Sequence, residues 1–249
     1  MRFDVITLFP ELFAPHLALG VTRRAFDSRQ VEVCLWPLRE FGEGAHQRVD
    51  DRPFGGGPGM VLLAEPLERA LAAALADRAG APPALIHFTP TGRRIDQTLV
   101  REMAGGPGAV LLCGRYEGID QRFLDQHVRM ELSLGDFVLS GGEVPALALL
   151  DAVARLQPGV LGDAQSHQQD SFGDDGLLDC PQYSRPESLP GGASVPPVLL
   201  SGHHAEIERW RRERSLELTA RRRPELIAAV RAAGRLSAAD ERFLNSLGL

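Results

Sequence analysis

Apolar runs bounded by turn-forming residues recur at Phe3–Phe9, Val31–Trp36, Ala84–Phe88, Ala109–Cys113 and Val128–Leu132, and each predicts a strand. Between them lie segments with helical spacing: Glu65–Arg78, Asp96–Met103, and Glu143–Leu156, where Val144, Leu147, Leu150 and Ala154 share one face. Strands that alternate with helices predict an α/β fold with a largely parallel sheet covered by those helices.

After Gln157 the pattern changes. PGVLGDAQSHQQDSFGDDGLLDCPQYSRPESLPGG is rich in Gly, Pro, Ser, Asp and Gln and has little apolar periodicity, the composition of a linker or functional lid. Helical character returns from His203, with Pro224 at a first-turn position and a last segment at Ala238–Leu247. The expected organisation is an α/β domain over residues 1–160, a connection over 161–178, and a small helical domain over 179–249.

Composition narrows the class. Hydrophobic residues make up 44% and charged residues 24%, and no run of about 18 uncharged apolar residues is present to span a bilayer. Asp4 and Glu11 interrupt the N-terminal apolar run, so MRFDVITLFPELF reads as a first strand and not a secretory signal; a cytoplasmic protein is expected. Cys34, Cys113 and Cys180 give neither a disulfide framework nor a CxxC pair. None of the seven histidines falls in an HExxH or at zinc-ligand spacing. The net charge of -6 taken alone argues against a polyanion partner, yet all 27 basic residues are Arg and many fall in RWRRERSLELTARRRP. That run reads either as a phosphate-neutralising face or as a solvated helix paired internally to Glu206, Glu208, Glu213 and Glu217.

Candidate chemistry lies in three glycine-bearing stretches: Asp50–Met60 (DDRPFGGGPGM), Leu111–Asp120 (LLCGRYEGID) and Leu134–Leu147 (LGDFVLSGGEVPAL). No phosphate-loop or dinucleotide fingerprint is present. Gly114, Gly118, Gly135, Gly141 and Gly142 sit at predicted strand ends, where a missing Cβ admits close backbone or ligand approach, in a cofactor site or a tight chain crossing.

GRYEGID, GDFVLSGGE, PGVLG, DSF, GLLDCPQYSRP and VPPVLLSGHHAEI, with DVITLFPELF and VDDRPFGGGPGM, resemble the bacterial tRNA (guanine-N1)-methyltransferases (TrmD) of the SPOUT class, in the same order from residue 2 to about residue 226. The resemblance implies a mostly parallel sheet with a deep trefoil knot in the C-terminal part of the α/β domain, a small all-α C-terminal domain, S-adenosylmethionine bound in the knot, and a homodimer. Knots are rare, and periodicity does not predict them. The implied cofactor residues are Pro90, Thr91, Gly92, Gly114, Tyr116, Glu117, Gly118, Leu134, Gly135, Phe137, Leu139, Ser140, Gly141, Gly142 and Pro145. Read without the resemblance, Tyr116 is equally a packing aromatic and Glu117 an exposed Glu at a helix start.

The implied reaction is methylation of guanine N1 at tRNA position 37, 3′ of the anticodon. N1 carries a proton at neutral pH, so a base must take it as the new C–N bond forms. Asp170 matches the family's general base, although an Asp ahead of Ser171 is in isolation an N-cap or Asx-turn; His167 ranks second. A carboxylate with a pKa of about 3.9 is a weak base for N1, so a second group must stabilise the guanine anion. Arg155, otherwise a surface helix arginine, matches the arginine placed on O6, where one donor contributes about 3 kcal/mol. The family also implies Mg2+ near Glu117 and Asp170, an ion that needs only one or two carboxylates. The segment Gly162–Gly176 would act as a lid and bring Asp170 of one subunit to the cofactor of the other.

For tRNA the resemblance points to His46, Asp50 and Arg52, to Ser201 and His203, and to Arg209, Arg211 and Arg214, the arginines setting register on phosphates. HQRVDD departs from the HR[ST]VDD common in relatives, which weakens the expected contacts around Gln47 and Arg48. The competing readings are another knotted methyltransferase acting on rRNA or a tRNA ribose, and a non-catalytic RNA-binding relative.

Overall fold

The computed structural model describes residues 1–162 and 170–248. Its contacts divide the chain into two compact units, Met1–Asp163 and Ala164–Leu249.

The described strands of the first unit are β1 (Arg2–Thr7), β2 (Glu32–Pro37), β3 (Asp50–Asp51), β4 (Val61–Leu62), β5 (Leu85–Arg94), β6 (Val110–Leu112) and β7 (Val128–Ser133). Five of them form one sheet in the order β2-β1-β6-β5-β7, every pair parallel, while β3 and β4 make a separate antiparallel pair. The expected mixed α/β architecture with a mostly parallel sheet is therefore present. The helices are α1 (Phe13–Ala18), α2 (Arg23–Asp27), α3 (Ala64–Ala76), α4 (Gln97–Ala104), α5 (Gln121–His127) and α6 (Glu143–Ala154).

Both sheet faces are covered, which is why the strands read as apolar runs and not as strict alternation. Phe3, Val5, Ile86, Phe88 and Leu111 share one core with Leu99 and Val100 of α4 and Leu149, Leu150 and Val153 of α6. Ile6, Leu85, Val110 and Leu112 share the other with Leu67, Ala70 and Leu71 of α3 and Phe123 of α5. Asp4, inside β1, is wholly buried, and its carboxylate accepts from Trp36 Nε1 at 2.9 Å, Arg2 at 2.8 Å and Arg78 at 2.6 Å. A buried charge so completely paired is tolerated where an isolated one is not.

One irregularity shapes the site. Phe88 and Arg93 of β5 both lie opposite Leu132 of β7, so Thr89–Gly92 loop out of the ladder. A Cβ on Gly92 would overlap the Leu132 amide nitrogen, so only glycine fits where the loop returns.

In the second unit α7 (His204–Arg222), α8 (Pro224–Ala232) and α9 (Ala238–Ser246) pack around Leu177, Leu216, Ile227, Val230 and Leu244. Pro224 opens α8, and Ser237 and Asp240 form a reciprocal capping box on α9. The described part of the expected connection is tied to these helices: Leu177 is buried, Leu178 N–H donates to Thr219 Oγ1 at 3.0 Å, and Ser215 Oγ donates to the Leu178 carbonyl. No helix among the described residues is long and apolar enough to cross a membrane.

Candidate active site

At the carboxyl ends of β6 and β7 lie two of the three glycine-bearing stretches, and with the Thr89–Gly92 excursion of β5 they enclose a cleft of about 320 Å3. Ligands of open parallel sheets bind at that edge. Of the fifteen expected cofactor residues, Pro90, Gly114, Tyr116, Glu117, Gly118, Leu134, Gly135, Phe137, Leu139, Ser140, Gly141, Gly142 and Pro145 line it. Thr91 and Gly92 do not: Thr91 Oγ1 donates to Glu131 at 3.2 Å, and Gly92 packs against the β7 backbone.

What ties the loops together is a set of residues that sequence reasoning missed. Glu143, in the first turn of α6, is wholly buried; its Oε1 accepts from Thr7 Oγ1 at 2.9 Å and its Oε2 from Arg115 Nε at 2.9 Å. Arg115 also donates to the Ser140 carbonyl at 3.2 Å and stacks over the Phe9 ring at 4.4 Å, while its backbone bridges Gly141. The helix N-terminus favours the Glu143 carboxylate. Gly142 N–H donates to the Gly114 carbonyl at 3.0 Å, and a Cβ at Gly142 would come within 2.7 Å of Cys113 Cα. Loops Gly114–Gly118 and Leu134–Gly142 thus form one clamp anchored to β1. The only signal in the sequence was a charged residue embedded in each glycine motif.

His87 also lines the cleft and was not singled out beforehand. Burial holds its imidazole below the usual value, with Glu131, 3.6 Å from Nδ1, working in the opposite direction. Glu117 lies in a turn ahead of α5 and not at a helix start; its N–H donates to the Met60 carbonyl at 3.0 Å and its side chain lies against Gly59. The Asp50–Met60 loop therefore borders the cleft. Tyr116 takes a left-handed φ of 61° and is half exposed, which suits a ring presented to a ligand better than one packed in a core.

The family model for tRNA (guanine-1)-methyltransferase TrmD matches residues 1–229. The chain belongs to this family. It is 70% identical to the tRNA (guanine-N(1)-)-methyltransferase of Leptothrix cholodnii, over 100% of both chains. It is 68% identical to that of Methylibium petroleiphilum over 99% of this chain and 98% of the relative, and 57% identical to that of Bordetella pertussis, again over 99% and 98%. Membership in this methyltransferase family implies S-adenosylmethionine as methyl donor and tRNA as substrate.

Within this TrmD-family chain the two expected catalytic residues belong to different units. Arg155 caps the C-terminus of α6 in the first unit. Asp170 opens a turn in the second, its main-chain carbonyl accepting from Gly173 N–H at 3.0 Å, and no helix begins there. It lines a cavity of about 550 Å3 with Asp175, Asp179, Glu208, Arg211 and Arg212. His167 and the middle of the expected lid, 163–169, lie outside the described residues. Among the described residues no group of three or more His, Cys, Asp or Glu side chains is placed to hold a metal ion.

The expected RNA contacts divide similarly. His46 is exposed in a turn closed by Glu43 and Arg48, Asp50 lies in β3 and Arg52 follows it, exposed. Arg48 is held by Glu43 at 2.8 Å and Asp51 at 2.9 Å. Ser201 and His203 form the turn into α7, Ser201 Oγ accepting from His203 N–H at 3.1 Å. Arg209 lies 3.9 Å from Glu213, and Arg214 pairs with Glu217 at 2.5 Å and stacks on Phe243. Arg211 lines two cavities.

Proposed function

We propose that the protein transfers a methyl group from S-adenosylmethionine to guanine N1 at position 37 of tRNA, 3′ of the anticodon, in the cytoplasm. The observation that carries the reading is convergence: a family match over residues 1–229 coincides with a cleft built from the loops that the family's motifs occupy. The cleft fits the cofactor, since it offers apolar faces at Leu134, Leu139 and Pro145 and loop backbone freed of Cβ atoms at Gly141 and Gly142. Those residues and Tyr116 would hold it, with Glu117 toward its methionine end. When bound it supplies an electrophilic methyl on a sulfonium.

Asp170 takes the N1 proton while Arg155 donates to O6, so that negative charge on the purine meets a fixed cation. A donor of this kind contributes about 3 kcal/mol to the transition state. Because charge is neutralised as sulfonium and guanine anion react, a dry site favours the step, and closure of the segment around 162–176 would exclude water. The loops are proposed to form a trefoil knot, and the active enzyme to be a homodimer in which one subunit's Asp170 serves the other's cofactor. Phe9, Leu12, Leu19, Val21, Val138 and Val144 are large apolar residues exposed on the first unit; exposed apolar side chains of this kind suit a subunit contact. The carboxylates that would hold Mg2+ are Glu117 and Asp170, without a dedicated cage.

The test is mass mapping of an unmodified tRNA transcript after reaction. Wild-type protein should leave N1-methylguanosine at position 37. Asp170→Ala should leave almost none while binding the cofactor normally, and full methylation by that variant would refute the assignment of the base.

A further inference from the structure

A second cavity, of about 880 Å3, lies in the second unit between the Pro181–Glu187 segment and the start of α7, and the proposed methyl transfer leaves it unused. Tyr183 and Trp210 border it with ring centroids 6.1 Å apart and planes inclined at 57°. The rings open as a wedge, and Tyr183 is 49% exposed. Leu199, Leu200 and Ile207 complete an apolar wall.

The charge around this wedge differs from that of the rest of α7. Arg209, Arg212, Arg214 and Arg221 each lie against a carboxylate: Glu213, Asp240, Glu217 and Glu217. The side chains of Arg211 and Arg185 form no hydrogen bond or ion pair among the described residues, and both line the cavity, where Glu187 is the one carboxylate; Arg211 also borders the neighbouring cavity lined by Asp170, Asp175, Asp179 and Glu208. An aromatic face open to solvent beside guanidinium groups not engaged in ion pairs suits an unpaired base with its phosphate. A base-paired stem keeps its base faces stacked inside the helix and has none to offer such a wedge.

We infer that this cavity is a stacking subsite for one unpaired nucleotide of the tRNA, its base on Trp210 and against Tyr183, its phosphate between Arg185 and Arg211. The inference rests on the reading of tRNA as substrate. Since the rings are inclined, the base stacks on one ring and meets the other by its edge, so the subsite selects an unstacked base and not a sequence.

The experiment uses the full-length protein, filter binding and single-turnover methylation at fixed salt. It employs an unmodified tRNA transcript and a series of transcripts in which one loop nucleotide at a time is abasic. Trp210→Ala should weaken tRNA binding about tenfold, within the range for losing one base stack, whereas Trp210→Phe should stay close to wild type. One abasic position should weaken binding to wild type by a similar factor and cost Trp210→Ala nothing more. Arg211→Gln should flatten the salt dependence by roughly 0.7 in the log–log slope, the contribution of one phosphate contact on single-stranded RNA. Calorimetric binding of S-adenosylmethionine should be unchanged in all variants; should Trp210→Ala fail to fold, Tyr183→Ala on the exposed segment and Arg211→Gln decide. Wild-type affinity and an unchanged abasic profile in the variants would overturn the subsite. A wild-type protein that binds tRNA no better than an unrelated RNA duplex would instead overturn the substrate reading on which the inference rests.

Discussion

Removal of the Glu143 carboxylate should dismantle the cofactor cleft before it unfolds the protein. Glu143 is wholly buried and accepts one neutral bond, from Thr7, and one charged bond, from Arg115. The first contributes about 1 kcal/mol and the second about 1.5–3 kcal/mol. Breaking a fully buried pair costs ~3–5 kcal/mol because a charge is left without its partner. The Arg115 side chain is 19% exposed and reaches some water, which places Glu143→Ala near the lower end, about 3 kcal/mol. For a protein of this size that corresponds to a fall in Tm of roughly 6–12 °C.

The same bonds connect Arg115 to Ser140 and so hold the Leu134–Gly142 loop against Gly114–Gly118. A cleft assembled only part of the time binds its ligand more weakly by that fraction, and Glu143→Ala should raise the calorimetric Kd for S-adenosylmethionine roughly tenfold or more. The decisive comparison is Arg115→Met/Glu143→Leu. Apolar replacement of a buried pair is often neutral for stability, so Tm should recover, but the Ser140 carbonyl still lacks its donor and affinity should stay low. If the double variant regains both, the pair only fills space; if Glu143→Ala binds the cofactor as wild type does, the clamp reasoning is wrong.

Gly142→Ala should destabilise by about 1–3 kcal/mol through overpacking and lower cofactor affinity, because its Cβ would sit 2.7 Å from Cys113 Cα; denaturant titration and calorimetry measure the two effects. Since burial keeps His87 neutral, the unfolded chain binds more protons just below the usual imidazole pKa of about 6.5. Stability is therefore complete above that pH and declines as pH falls toward the folded pKa, so between pH 6.5 and 5, roughly the histidine range, Tm should fall more steeply for wild type than for His87→Gln; parallel curves would refute it. Burial opposes the charge of Asp240, yet Arg212 and Ser237 hold its carboxyl below the usual range, so its contribution is present at neutral pH and lost as pH falls through that lowered pKa. Asp240→Asn, which removes the charge paired with Arg212 while leaving an amide oxygen for the Ser237 N–H, should cost about 2 kcal/mol in chemical denaturation at pH 7 and much less in strong acid.

The long elements were legible because their periodicity persists over enough residues to declare itself. β6, β7, α3 and α6 lie within a few residues of the expected spans, whereas β5 runs on from the expected end at Phe88 to Arg94, past the excursion of Thr89–Gly92 where Pro90 and Gly92 interrupt the run. β3 and β4 have two residues each and α2 has five, too few to show a period. Gly114, Gly118, Gly135, Gly141 and Gly142 line the cleft, and they could be picked out beforehand because absence of a Cβ is a local property readable at each position. The Arg115–Glu143 pair was not legible, because it joins residues 28 positions apart whose approach only the tertiary structure determines.

The arginine-rich segment shows where spacing decides what composition leaves open. Seven arginines between Arg209 and Arg223 suggest a basic face, but the glutamates among them stand three and four positions from Arg209, Arg214 and Arg221, and those pairs close on the helix surface. Arg212 turns inward to Asp175 and Asp240, where it joins Asp175, outside the helices, to α9. Most of the run is thus consumed in building the second unit. Arg211 differs because it forms no ion pair and borders two cavities, the Tyr183–Trp210 wedge, where Glu187 is the one carboxylate in the lining, and the acid-lined cavity beside it. A protein with net charge -6 attracts RNA best where arginines free of ion pairs lie next to a surface the RNA can use, and on the second unit Arg185 and Arg211 stand so beside these two aromatic rings.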